Sequence, residues 1–148
     1  MPEDQSWRWT FLGFQSASDD RPVQTWFDGL PDKDRDEIKD LLVHMQNITN
    51  RLWRKPEFDP LEGAGGISEI RCDIRDERGV VNYRLYGYFG PGEREYTFLH
   101  GICKKVRNDY DGKRIAKDRL HQIGYGATVH KFSFERGFVV KIKRERPN

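Results

Sequence analysis

Six residues in the middle of this chain have the side chains for phosphate chemistry: Arg71, Arg84, Tyr86, Tyr88, Lys104 and Lys105. They lie in or just after three successive runs in which apolar and polar residues alternate. A period of two sends every second side chain to the same face of a sheet. If those runs pair in sequence, Arg71 and Arg84 fall near each other on the polar face, with the two lysines at a strand end. A guanidinium grips phosphate through a planar fork of donors, an ammonium supplies a mobile point charge, and tyrosine faces stack on unpaired bases. The matching ligand is a phosphodiester. In RNA the 2′-hydroxyl is an internal nucleophile, so cleavage needs charge stabilisation and proton transfer more than it needs a metal. A plainer arrangement uses the same residues: Arg71 pairs with Glu69 or Asp73 on the exposed face, and nothing binds.

The elements that must position these groups follow from the rest of the pattern. Residues 7–15, with Trp9, Phe11 and Phe14, read as a strand that ends in turn-forming residues. Asp20-Arg21-Pro22 opens a helix on which Val23, Trp26, Phe27 and Leu30 recur at i, i+3, i+4, i+7. After Pro31 a second helix is predicted over 32–47, with Ile38, Leu41, Leu42, Met45 and Ile48 as its apolar stripe. Asp32, Asp34, Asp36 and Glu37 crowd its first turns as solvated acids at the positive end of the helix dipole. Residues 49–66, with Pro56, Pro60, Gly63, Gly65 and Gly66, read as a loop.

Strands are predicted over 67–75, 80–89 and 96–103, then a helix over 111–122 with Ile115, Ala116 and Leu120 inward. A hairpin of 127–134 and 138–143 around Glu135-Arg136-Gly137 would close the chain. The expected class is α+β, a single domain over 1–148: an N-terminal strand and two helices packed on an antiparallel sheet of sequential strands, plus a C-terminal helix and hairpin. Short connections favour a meander with helices on one face.

The 148 residues suffice for one domain with its own core, and nineteen aromatics argue against disorder even though 34% of residues are charged. The net charge of +2 hides an asymmetry: residues 1–70 carry 8 basic and 14 acidic side chains, whereas 104–148 carry 13 basic and 5 acidic. Such a basic third can be the footprint of a polyanion or simply a solvated face. Neither a membrane span nor a secretory leader is read from the pattern, so the expected location is cytoplasmic.

The sequence has no phosphate loop, no dinucleotide-binding Gly-x-Gly-x-x-Gly, no His-Glu-x-x-His and no nucleophile elbow. Cys72 and Cys103 are expected as inert buried thiols, without a zinc site or a disulfide. His100, followed by glycine within an apolar run, is read as a packed residue in preference to a general base, although His121 and His100 both keep that possibility open. Trp7, Trp9, Trp26 and Trp53 are read as packing or partner-facing residues.

The ordered set Ile67-Ser68-Glu69-Ile70-Arg71, Asn82-Tyr83-Arg84-Leu85-Tyr86 and Leu99-His100-Gly101-Ile102-Cys103-Lys104-Lys105 resembles the RelE/ParE superfamily of bacterial toxins. Within it the chain is most similar to the HigB-like, phage-derived branch, over about residues 7–122 and including the helix start Pro22-Val23-Gln24-Thr25-Trp26. The resemblance implies a RelE-like microbial ribonuclease fold and a toxin of a type II toxin-antitoxin system. Such a toxin cuts mRNA on the ribosome, uses no cofactor or metal, and is silenced by a cognate antitoxin of helix-turn-helix type. Operator DNA would be reached only through the antitoxin complex.

Carried over by position, Arg71 and Arg84 would hold the scissile phosphate. Lys105, with Lys104 beside it, would protonate or stabilise the leaving group, and Tyr110 would stack on a base. Tyr86, Tyr88, Arg107 and Lys113 are expected as further RNA contacts. Where the branch usually follows its lysines with a Thr-Pro helix start, this chain has Val106-Arg107-Asn108-Asp109-Tyr110-Asp111-Gly112. Residues 124–148 form a basic extension beyond the usual family length. A gyrase-inhibiting toxin of the ParE type and a non-catalytic nucleic-acid or protein-binding module remain the alternative functions.

Overall fold

The computed structural model describes residues 8–48, 53–105 and 108–135. Its elements run β1 (Thr10–Gln15), α1 (Pro22–Asp28), α2 (Asp32–Gln46), β2 (Phe58–Pro60), β3 (Ser68–Asp76), β4 (Gly79–Phe89), β5 (Glu95–Cys103), α3 (Tyr110–Gln122) and β6 (Thr128–Lys131). The strands form one sheet in the order β2-β3-β4-β5-β1-β6. The chain is α+β, as its sequence pattern implies. No helix among the described residues is long and apolar enough to cross a membrane.

The strands β3, β4 and β5 pair antiparallel in sequence order, as the alternation predicts. The meander ends there, because β1 inserts parallel to β5, with Phe11 against Tyr96 and Gly13 against Phe98. The other side of β1 takes β6 antiparallel, Leu12 facing Lys131. Thus the first arm of the expected hairpin is an edge strand on β1, while 138–143, like Trp7, lies outside the described residues. The expected loop over 49–66 also contains a strand, β2, whose Phe58 and Asp59 pair with Ile70 and Glu69 of β3. Its Pro60 is tolerated because β2 is an edge.

The two faces of this sheet are covered by different helices, which corrects the expectation of helices on one face. On one side, Val23 and Phe27 of α1 and Ile38, Leu42 and Met45 of α2 pack against Phe11, Ile70, Ile74, Tyr83, Leu85, Tyr96 and Phe98. Aromatic rings dominate that layer: Phe98 lies 4.9 Å from Phe132 and 5.1 Å from Phe11, and Phe27 lies 5.3 Å from Phe132. Burying each such side chain contributes roughly 1.5–3 kcal/mol against the conformational entropy of folding. Trp9, Trp26 and Trp53 belong to this core, and the Trp53 Nε1–H donates to the Met45 carbonyl at 2.8 Å. On the other side, α3 lays Ala116 and Leu120 on Phe14, Tyr86 and Leu99.

Asp34 departs from its reading as a solvated acid: it is fully buried. Its carboxylate accepts from the Tyr83 hydroxyl at 2.5 Å and from both terminal nitrogens of Arg78 at 2.8 and 3.0 Å. The Arg78 hydrogen bonds, against the cost of burial and with help from Tyr83, hold the Asp34 carboxyl below its ordinary range. The first turn of α2 is thereby tied to the turn between β3 and β4. Cys72 and Cys103 are free and half-buried, and burial pushes the Cys72 thiol up to about 11, which keeps it protonated and unreactive at neutral pH.

Candidate functional site

The register brings the two expected arginines together, with Arg71 of β3 directly across from Arg84 of β4. On either side of them along the same face lie the pairs Glu69–Tyr86 and Asp73–Asn82, and across β5 Tyr86 faces His100 and Arg84 faces Ile102. This is the sheet face on which α3 sits.

Neither guanidinium is free. The Arg71 Nε–H donates to Glu69, and its Nη2 donates to Asp59 of β2 at 2.6 Å. The Arg84 Nη1 donates to Asp73 at 2.8 Å and to the Tyr83 carbonyl at 2.9 Å. Burial opposes the charge on Arg71, but Glu69 and Asp59 outweigh it and raise its pKa. Glu69 is buried between both cations, with its Oε2 also 3.9 Å from Arg84 Nε. That Nε is the residue's unspent donor, buried and without a hydrogen-bond partner. A buried donor left open costs about 1–3 kcal/mol, offset here in part by the Glu69 charge 3.9 Å away. Pairing of Arg71 with Glu69 was one of the two arrangements the sequence offered; the participation of Asp59 was not, since it comes from the unexpected strand β2.

Tyr86 does not fit a base-stacking role. Its ring is fully buried, lies parallel to His100 at 6.3 Å, and its hydroxyl donates to Asp109 at 2.9 Å. Asp109 is the N-cap of α3 and accepts the Gly112 N–H at 3.0 Å. A side chain at Gly112 would meet the Asp109 carboxylate at 2.1 Å, so only glycine allows this cap. Tyr86 therefore positions α3 on the sheet. Burial first, then the Asp109 carboxylate, raises the pKa of its hydroxyl.

His100 is half-buried, and Arg119 of α3 donates to its Nδ1 at 3.4 Å and to the Leu99 carbonyl at 2.8 Å. Burial and the Arg119 charge lower its pKa, keeping the imidazole neutral, in accord with a packed histidine. Tyr88 is half-buried with its ring against Gly90, another position poorly suited to base stacking.

The lysines occupy the end of β5. The Lys104 backbone N–H donates to the Asn82 carbonyl at 2.6 Å, and Lys105 is exposed. Both line an open cleft of about 330 Å³ together with Arg78, Val80, Asn82, Tyr83 and Cys103. Tyr110 starts α3 with its ring 73% exposed, and Lys113 is half-buried one turn on. Arg107 lies outside the described residues.

The sequence reading offered Glu69 as an exposed partner of Arg71; its burial between both arginines was not read, although its place two residues before Arg71 in an alternating strand puts both on one face. Among the described residues no group of three or more His, Cys, Asp or Glu is placed to hold a metal ion. Family models, curated proteins and solved structures were compared with this chain, and none matches it.

Proposed function

We propose that the protein is the toxin of a toxin-antitoxin pair and acts as a ribosome-dependent mRNA endoribonuclease, the RelE/HigB-like function that its motifs resemble. The observation that supports this reading best is the Arg71–Arg84 cross-strand pair. Two guanidiniums on adjacent strands can hold a phosphate as its charge grows during attack by the 2′-hydroxyl. Arg84 keeps one donor unspent, and the side chain of its partner Asp73 is half-exposed, so a phosphate can replace that carboxylate at little cost. Glu69, between the cations, is the carboxylate best placed on this face to accept the hydroxyl proton. Lys104 and Lys105 supply positive charge at the strand end for the leaving group.

A non-catalytic binding module has one observation in its favour. Glu69, Asp59 and Asp73 together outnumber the two arginines they contact, so the cluster is closed on itself.

Induced expression of wild type and Arg84→Ala in bacterial cells, with growth and transcript 5′-end mapping read together, separates the two. Growth arrest with cuts confined to translated frames, lost in Arg84→Ala, is the expected result. No arrest and no cuts from a folded wild type would favour the binding module.

A further inference from the structure

Two of the four large apolar side chains that stand exposed in the described structure are tyrosines at opposite ends of α3. Tyr110 is 73% exposed at its start, and Tyr125 is 88% exposed in the turn that follows it. An aromatic ring left in water without packing against its own fold commonly marks a contact surface. The residues between them make the surface specific. Tyr110, Arg114, Lys117 and His121 recur at i, i+4, i+7 and i+11, which is one side of a helix, and all four are exposed. The opposite side, with Gly112 and Ala116, is the one buried on the sheet.

The charges on this outer side are available. Lys113 and Lys117 have no ion-pair partner among the described residues. Arg114 reaches Asp111 and Asp118 only at 3.6 and 3.8 Å, with all three side chains well exposed. Such pairs are worth at most about 1 kcal/mol and yield readily to a stronger anion.

The turn after the helix is built to present Tyr125. It lies between Gly124 at φ 92° and Gly126 at φ 106°, conformations that L side chains rarely adopt. Three backbone bonds fix the turn: Gly124 N–H to the Ala127 carbonyl at 3.1 Å, and the Tyr125 and Ala127 N–H groups to Gln122 at 2.9 and 3.2 Å. A ring held out by a fixed turn has less conformational entropy to lose on binding.

We propose that the outer side of α3, from Tyr110 to Tyr125, is a track for single-stranded RNA, with bases stacking on the two tyrosines and phosphates meeting Arg114 and Lys117. The track rests on the RNA reading of the arginine cluster and extends it: Tyr86, two residues from Arg84 on β4, holds Asp109 at the start of α3, which puts the first turn of the track near the cluster. Single-stranded RNA fits better than a duplex, whose stacked bases offer no faces to tyrosine. An acidic protein segment would use the cations but not the rings.

The test is binding of a short 2′-O-methylated oligoribonucleotide, which cannot be cut through its 2′ position, followed by fluorescence anisotropy at several salt concentrations. Tyr125→Ala should weaken binding by roughly tenfold, the usual loss for one base-aromatic stack. Lys117→Ala should lower the slope of log affinity against log salt by about 0.7, the share of one phosphate contact on a single strand. Both substitutions are on the surface, and unchanged melting curves verify the fold.

Unchanged affinity and slope in both variants would overturn the track. So would equal affinity for duplex RNA, or displacement by polyglutamate at the same charge concentration. The 5′-end mapping reads separately: sensitivity to Lys117→Ala and Tyr125→Ala without any transcript cuts keeps the track and removes the nuclease, while cuts with insensitive binding do the reverse.

Discussion

The two faces of the sheet are made by the same strands and are held by different physics. One face is a layer of rings, with Phe11, Phe27, Tyr96, Phe98 and Phe132 mutually packed beneath α1 and α2. The other carries Glu69, Arg71, Asp73, Arg84 and Tyr86, and is covered by a single helix whose buried contacts are small, Gly112 and Ala116. The first face rests mainly on shape and volume, because apolar contact has no direction, with the Asp34–Tyr83–Arg78 bonds at its margin. The second depends on each donor meeting its acceptor, because an unmatched buried polar group costs as much as several good contacts return. Stability is concentrated on one side of the strands, and the groups able to do chemistry on the other.

The largest effect should come from the ring layer. Phe98→Ala is expected to lower stability by about 3–5 kcal/mol, read from urea unfolding. A loss below about 1 kcal/mol would mean that the rings are not the main support. On the polar face the matching change is functional: Arg84→Ala should cut transcript cleavage by roughly 10²–10³, the usual loss for one preorganised donor. The aromatic near-ultraviolet dichroism of the ring layer should stay as in the wild type; its collapse would show that the two faces are not separable.

Tyr86→Phe removes one hydroxyl and its bond to a carboxylate, so it should cost about 1.5–3 kcal/mol of unfolding free energy. It should also loosen the start of α3, seen as faster amide exchange at Gly112. A neutral result would place α3 under the control of Ala116 and Leu120 instead.

The smallest effects are in pH. Asp34 has its pKa lowered in the fold, so its contribution is complete above the ordinary carboxyl value of about 3.9 and is lost as pH falls through the folded value. Asp34→Asn should therefore flatten the acid limb of the stability curve. His130 is lowered as well, mainly by burial, with its Nε2 buried and unpartnered against Gly13. Its contribution is present above about 6.5 and fades as pH drops below that. His130→Gln should remove the part of the pH dependence that sets in below about 6.5, checked by thermal melts at successively lower pH.

Much of the polar face was legible in the sequence because it is local. A period of two in β3 and β4, joined by a short turn, fixes Arg71 near Arg84 without knowledge of anything else. The helices were legible for the same reason, from stripes such as Ile38, Leu42 and Met45. What escaped were relations between distant parts of the chain. Asp59 reaches Arg71 from a three-residue strand hidden in a proline- and glycine-rich stretch. Asp34 was read as a solvated acid because acids in first turns usually are; its burial depends on Arg78 and Tyr83, more than forty residues away. The face of α3 is the opposite of the one expected, since its stripe of Ile115, Ala116 and Leu120 suits either side and short connections alone pointed to the face of α1 and α2. The fate of Tyr86 followed from that choice.

The insertion of β1 beside β5 has a consequence in time. Phe11 pairs with Tyr96 on one side and accepts the Phe132 N–H on the other, so β1 has no strand partner until β5 has been made. At 5–20 residues per second that wait is roughly 4–17 s. Until then the hairpin of β3 and β4 carries its arginines without a completed sheet behind it. A synthesis halted between residues 85 and 95 yields a chain that carries Arg71 and Arg84 but lacks β5, the strand that joins β1 to the rest of the sheet.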